Sequence, residues 1–212
     1  MAGSYDFEEQ ERLAELKAWW EDNRIYVVLA VIAAILTFAG WQAWQWWGVR
    51  AAEDAALLYK PVAEAAKGRD PKKIADAAGP LIAKHPRSFY ASESALIAAK
   101  AAFDAGNLDE ARKQLEWALD KGVEEHRGVA RTRLASVLLE QKKYEDALKV
   151  LDGNKEAAFA ASVADLRGDV MLAQGRIDEA RAAYKLAIDK AEGRSPVRSI
   201  AETKLNALGG AQ

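Results

Sequence analysis

From Ile25 to Val49 the chain reads IYVVLAVIAAILTFAGWQAWQWWGV, twenty-five residues without one charged side chain. As a helix this stretch rises roughly 37 Å at ~1.5 Å per residue, enough to cross a hydrocarbon core of about 30 Å. Trp19 and Trp20 precede it, and Trp41, Trp44, Trp46 and Trp47 crowd its far end. Indoles bury their rings at the headgroup level while keeping a hydrogen bond, so these six tryptophans predict two membrane interfaces. A cleaved signal peptide would carry a basic leader and small residues before the cut; this leader is acidic and the cut position is filled with Trp, which predicts an uncleaved anchor. Before the span, Leu13, Leu16 and Trp20 form one apolar stripe on a charged helix, suited either to the membrane surface or to the first turns of the spanning helix itself.

After Gly48 the pattern becomes Ala-rich and helical, broken by short Gly- or Pro-containing turns. It predicts helices at about 50–67, 72–84, 88–105, 108–121, 126–141, 144–152, 157–174, 177–191 and 196–207. Three segments repeat one motif: Gly106-Asn107-Leu108-Asp109-Glu110-Ala111, Lys142-Lys143-Tyr144-Glu145-Asp146-Ala147 and Gly175-Arg176-Ile177-Asp178-Glu179-Ala180. Each has a turn, an apolar residue, two acids suited to a helix N-terminus and a small Ala that permits close packing. A larger apolar residue follows four positions on (Leu115, Leu151, Tyr184), and a small one stands twelve positions back (Ala99, Ala135, Gly168). A weaker copy around Ile74 and Ala77 makes the repeat about 34 residues long, the period of the tetratricopeptide repeat.

The fold class expected is therefore all-α: one N-terminal transmembrane helix, then an α-solenoid of about three to four helical hairpins. Two departures stand out. The proline that usually closes each repeat is replaced by Val123, Phe159 and Glu192, and the second unit is cut short at Asp152-Gly153-Asn154. The last helix, started by Ser195 and Pro196, carries Val197, Ile200, Ala201, Leu205 and Leu208 on one side and predicts a cap over the final repeat. The division expected is an arm at 1–24, a span at 25–49 and a repeat domain at 50–212.

Charge and composition remove whole classes of function. The arm to Arg24 holds seven Asp/Glu against three Lys/Arg and the remainder 25 against 27, so neither part is a basic nucleic-acid surface. Without cysteine there is no disulfide, thiolate nucleophile or thiolate metal site. Two histidines, His85 and His126, lack ligands at metal spacing. No phosphate loop, nucleophile elbow or paired-histidine motif occurs, so no catalytic residue, cofactor or metal is expected. The tripeptide Arg167-Gly168-Asp169 reads as packing, since Gly168 holds the small position of its repeat. Orientation is left open, because Arg12, Lys17 and Arg24 balance Arg50, Lys60 and Lys67 across the span.

A solenoid of this kind binds along the face its first helices turn away from their partners. The repeat maps Lys100, Asp104, Ser136, Glu140 and Asp169 onto that face as candidate partner-binding residues. Their charges are mixed, and the Lys/Asn set with which carboxylate-clamp domains grip a peptide C-terminus is absent. A solvated face is the plain alternative.

The chain also resembles, over nearly all of residues 8–192, the ancillary SecYEG translocon subunit family. The matching pieces are Leu16-Lys17-Ala18-Trp19-Trp20-Glu21-Asp22-Asn23, Gly40-Trp41-Gln42-Ala43-Trp44, Ala55-Ala56-Leu57-Leu58-Tyr59 and His85-Pro86-Arg87-Ser88-Phe89-Tyr90-Ala91. The most specific is Ala164-Asp165-Leu166-Arg167-Gly168-Asp169-Val170-Met171-Leu172-Ala173-Gln174-Gly175. The resemblance implies a single-pass bacterial inner-membrane protein, N-terminus cytoplasmic and repeat domain periplasmic. It implies as partners the SecYEG channel, a membrane-anchored prolyl-isomerase-like chaperone, exported polypeptides and the lipid bilayer. The function expected is a non-enzymatic scaffold linking export to periplasmic chaperones, with a scaffold for another envelope assembly complex as the alternative. A hydrolase or transferase built from converging acids is the rival of another class.

Overall fold

A computed structural model describes the backbone of residues 3–193 and 195–209, with side chains from residue 11 onward. The described residues fall into two units, divided between Ala51 and Ala52. The first is helix α1, Gly3–Lys67, up to Ala51. It contains a window of mean hydropathy 2.0, none of it buried, and is long and apolar enough to cross a membrane. No break falls at Gly48. The separate helix expected at 50–67 is instead the continuation of α1, and the arm is the start of the same helix. The reason is local: Ala, Leu, Glu and Lys dominate both flanks, and the isolated Gly40 and Gly48 each cost only about 1 kcal/mol relative to Ala.

The second unit takes the end of α1 and eight further helices: α2 (Pro71–Lys84), α3 (Phe89–Asp104), α4 (Leu108–Lys121), α5 (Glu124–Glu140), α6 (Tyr144–Asp152), α7 (Ala160–Ala173), α8 (Ile177–Lys190) and α9 (Pro196–Ala207). A single 3₁₀ turn, Ala157–Phe159, precedes α7. Successive helices pack α2 on α3, α3 on α4, α4 on α5 and α5 on α6. α7 then pairs with α8, and α9 lies against both. This is the antiparallel hairpin stack of an all-α solenoid, with the last helix as its cover.

The repeat residues behave as their spacing dictates. Ala111, Ala147 and Ala180 are fully buried, as are Leu115, Leu151 and Tyr184 one turn later, with Ala99 and Ala135 opposite. Gly168 completes the set: a Cβ there would stand 2.4 Å from the Tyr184 ring, so the large aromatic of α8 demands the missing side chain of α7. This accounts for Arg167-Gly168-Asp169 as packing. In the weak fourth copy the buried residue is Ala78, one place after the expected Ala77, because Ile74, Ala78 and Leu81 together form the inward face of α2.

The three turns also share one geometry. Gly106, Lys142 and Gly175 have φ of 76°, 59° and 76°. Behind each, two crossed amide bonds close the helix: Asn107 N–H to Ala102 O with Gly106 N–H to Phe103 O, Lys143 to Leu138 with Lys142 to Leu139, and Arg176 to Met171 with Gly175 to Leu172. These are Schellman closures, and they require a left-handed residue at that place. Lys142 meets the requirement against its own Cβ.

Where prolines are missing, other contacts start the next helix. Val123 is extended, and its N–H donates to the buried Ser92 Oγ at 2.9 Å, which starts α5 two residues earlier than expected. Phe159 packs so closely against Gly128 that a Cβ there would meet its ring at 2.2 Å. The short α6 ends at Asp152 as expected, and buried Asn154 donates to Gly128 O at 3.1 Å. On α9, Ala201 and Leu205 are buried, but Ile200 is 49% exposed, a correction to the expected apolar side. One helical face wide enough to meet both α7 and α8 is filled by Ala201, Leu205 and the stem of Lys204.

Candidate functional site

On α3, Glu93, Ile97, Lys100 and Asp104 stand at helical spacing above the buried Leu96, and α5 faces them with Arg133 and Ser136 above the buried Val137. Between them and the α1–α2 turn lies a groove of about 820 Å³, bordered also by Ala66, Arg69 and Ile74. A second hollow of about 310 Å³ reaches deeper toward Phe103 and Leu115. The two share Lys100, Asp104 and Arg133, so they are one surface divided by three charged side chains. The walls are mostly Ala, Leu, Ile and Phe, suited to apolar side chains, with polar groups along the middle.

Lys100, Asp104 and Ser136 thus lie together on this surface. Lys100 Nζ holds Asp104 Oδ2 at 2.6 Å, one turn away, in an exposed pair. Such a pair is worth at most about 0.5 kcal/mol. Ser136 Oγ donates to Thr132 O at 3.2 Å. Glu93 Oε2 stands 3.5 Å from Nε2 of the buried His126, whose ring packs on Phe89 with centroids 4.5 Å apart. Arg133 Nη1 donates to Leu96 O at 3.3 Å, which lays the guanidinium across from α5 to α3. Among the described residues, neither Arg133 nor Arg69 forms an ion pair with a carboxylate.

Glu140 and Asp169 fall elsewhere. Glu140 is exposed at the end of α5, outside the groove lining. Asp169 is held under the cap, where it accepts from Tyr184 Oη at 2.8 Å and from Lys204 Nζ at 2.7 Å. Lys204 also donates to Asp165 at 2.8 Å. Here one ammonium serves two carboxylates. Burial pushes the Asp165 carboxyl up, more than Lys204 draws it down. Burial lowers the Lys204 ammonium, but its two carboxylate partners outweigh that and leave it raised. The Tyr184 phenol is raised well above 10.0, first by burial and then by its bond to Asp169. All three groups hold their protons more tightly in the fold than outside it. This cluster ties α7, α8 and α9 together.

Arg133, Arg69 and Glu93 were missed by mapping the repeat. A signal for Arg133 existed: it stands two places before Ala135, where the first and third units carry apolar Ile97 and Leu166. A charge in an otherwise apolar repeat position marks a local use. Arg69 and Glu93 have no such signal, since they come from a turn and from the first helix face of an incomplete unit.

On α1 the six tryptophans are exposed, from 47% at Trp20 to 74% at Trp44. Arg50 lays its guanidinium over the Trp46 ring, 4.3 Å from the centroid. Such stacking suits a level where apolar and polar surroundings meet.

Comparison with known proteins agrees with this architecture. A family profile described as a tetratricopeptide repeat-like domain matches residues 17–210. A Neisseria gonorrhoeae protein named Ancillary SecYEG translocon subunit is 32% identical over 95% of this chain and 97% of its own length. An Escherichia coli protein of the same name is 29% identical over 94% and 96%. Among solved structures, MamA 41-end from Desulfovibrio magneticus RS-1 superposes with a TM-score of 0.57 at 21% identity, over 73% of this chain and 84% of that one; this likeness concerns the fold. Matched along nearly its whole length in sequence and in repeat architecture, the chain belongs to the family of ancillary SecYEG translocon subunits.

Proposed function

We propose that this protein is a non-enzymatic accessory subunit of the SecYEG translocon. It acts as an inner-membrane tether that holds a repeat domain beside the channel. The single observation that carries this reading is the near full-length match to relatives named Ancillary SecYEG translocon subunit, on a chain with one helix apolar enough to span among the described residues. The arm 1–24 lies in the cytoplasm, residues 25–49 span, and 50–212 stand in the periplasm, where a membrane-anchored prolyl-isomerase-like chaperone and exported polypeptides are within reach. Tethering supports the reading physically: a groove fixed beside a channel meets its partners at effective concentrations on the order of mM, so shallow contacts suffice. Lys100, Asp104 and Ser136 serve that groove. The six tryptophans fix the depth of the span.

The test is photo-cross-linking in cells, with probes placed along the span and at Lys100 and Ser136. Channel subunits on the span probes, and chaperone or exported chains on the groove probes, are the expected products. Recovery of another envelope complex with no channel subunit overturns the proposal.

A further inference from the structure

We infer that the groove between α3 and α5 selects apolar polypeptide segments that carry an acidic side chain, with Arg133 and Arg69 as the groups that receive the carboxylate. This rests on the reading of the groove as a polypeptide site and names the chemistry it prefers. The charged inventory of the surface is Arg69, Glu93, Lys100, Asp104 and Arg133. Lys100 and Asp104 satisfy each other at 2.6 Å. Glu93 Oε2 lies 3.5 Å from His126 Nε2 and is the groove's one carboxylate without a Lys or Arg partner among the described residues. What is left is two guanidinium groups on one groove, neither in an ion pair with a carboxylate among the described residues, one of them braced by Leu96 O.

A guanidinium presents its donors in a planar fork that fits a carboxylate through two parallel bonds. Arg133 uses only one of its donors on the backbone, and that bond holds the fork over the junction of the two hollows. On either side a partly exposed apolar side chain lines the surface, Ile97 toward one hollow and Phe103 toward the other, over a floor of the buried Ile74, Leu96, Leu115 and Val137. The complementary ligand therefore has apolar side chains flanking one Asp or Glu. A side-chain carboxylate fits better than a chain terminus, because the surface continues past Arg133 in both directions. Position in the repeat points the same way: the first and third units have Ile97 and Leu166 where this one has Arg133. Packing alone would have kept an apolar residue there.

The experiment uses the full chain in detergent micelles and three fluorescent peptides of one apolar sequence, blocked at both ends, with a central Glu, Gln or Lys. Anisotropy is expected to give the Glu peptide affinity on the order of tenfold above the Gln peptide, as one charge-assisted pair provides. Arg133→Gln is expected to reduce that preference several-fold while leaving the Gln peptide's affinity and the thermal midpoint unchanged. Arg69→Gln should reduce it further in combination. Equal binding of all three peptides overturns the inference and leaves the groove reading standing. A Glu preference that survives in the Arg133→Gln, Arg69→Gln double variant also overturns it. Failure of all three peptides to bind overturns both.

Discussion

The middle of the repeat domain and its C-terminal end are held by different forces. In the middle, one apolar cluster runs from Ala95 and Ala99 on α3 through Leu115, Leu134 and Leu151 to Val170 on α7. At the end, a smaller cluster of Met171, Ala180, Tyr184 and Leu205 is bordered by Lys204, Asp165 and Asp169. An interior hairpin is covered on both sides by other hairpins. The last has only a 12-residue helix on its outer side, with Ala201 and Leu205 as that helix's buried residues. Where apolar area runs short, charge-assisted hydrogen bonds supplement it. In the stack, burial supplies cooperativity and the polar cluster supplies a closing contact.

The contrast is broken most sharply by cavities. Leu151→Ala empties a fully buried site in the middle and should cost about 2–5 kcal/mol in chemical denaturation. Leu205→Ala, at the cap, should cost less globally and mainly accelerate amide exchange in α9. Equal global losses from the two would contradict the division.

Next in size is Gly168→Ala. Its Cβ meets the Tyr184 ring at 2.4 Å, and a rigid ring buried between two helices cannot swing away. A loss of about 1–3 kcal/mol is expected. Pairing it with Tyr184→Leu should recover part of that loss, which a double-mutant cycle measures.

Lys204→Met leaves Asp165 and Asp169 without their cation in a site where all three side chains are less than a third exposed. About 1–2 kcal/mol is expected, below the full cost for a wholly buried pair because solvent screens part of it. The loss should register first as exchange in α9. The same cluster sets a pH dependence. Lys204 is raised above 10.5, so its contribution is complete below that value and disappears as pH rises through its folded pKa. Tyr184 is raised above 10.0 and acts in the same direction. The thermal-unfolding midpoint should therefore fall as pH rises above about 10, and the fall should shrink in Lys204→Met. Asp165, raised above 3.8, adds a smaller decline on the acidic side as pH rises from that value.

The smallest effect is a gain. Lys142 occupies a left-handed position that Gly106 and Gly175 fill in the other units. Lys142→Gly relieves the Cβ strain and should stabilise by about 1 kcal/mol, read as a raised denaturation midpoint. No gain would mean that the chain-entropy cost of glycine cancels the relief.

Much of this was legible before any coordinates. Helix boundaries at 108–121, 144–152 and 196–207 follow from turn residues and apolar period, and they coincide with the structure. The candidate groove was half legible. Lys100, Asp104 and Ser136 were placed by repeat arithmetic, because a regular hairpin fixes which side of its first helix is open. Asp169 defeated that arithmetic: it holds the equivalent place in the last repeat, but there the next hairpin is replaced by α9, and Lys204 closes over it. Ile200 failed for a related reason, since an apolar period says which side chains could be buried and not how wide a surface is available.

By itself, then, the sequence determined most of the elements, their period and a helix long and apolar enough to span a membrane, all of which depend on neighbours a few residues apart. Tertiary structure alone decided that Arg133 reaches Leu96, 37 residues away, and that one lysine serves two aspartates of another helix. Both contacts join residues far apart in the chain. No local pattern carries them.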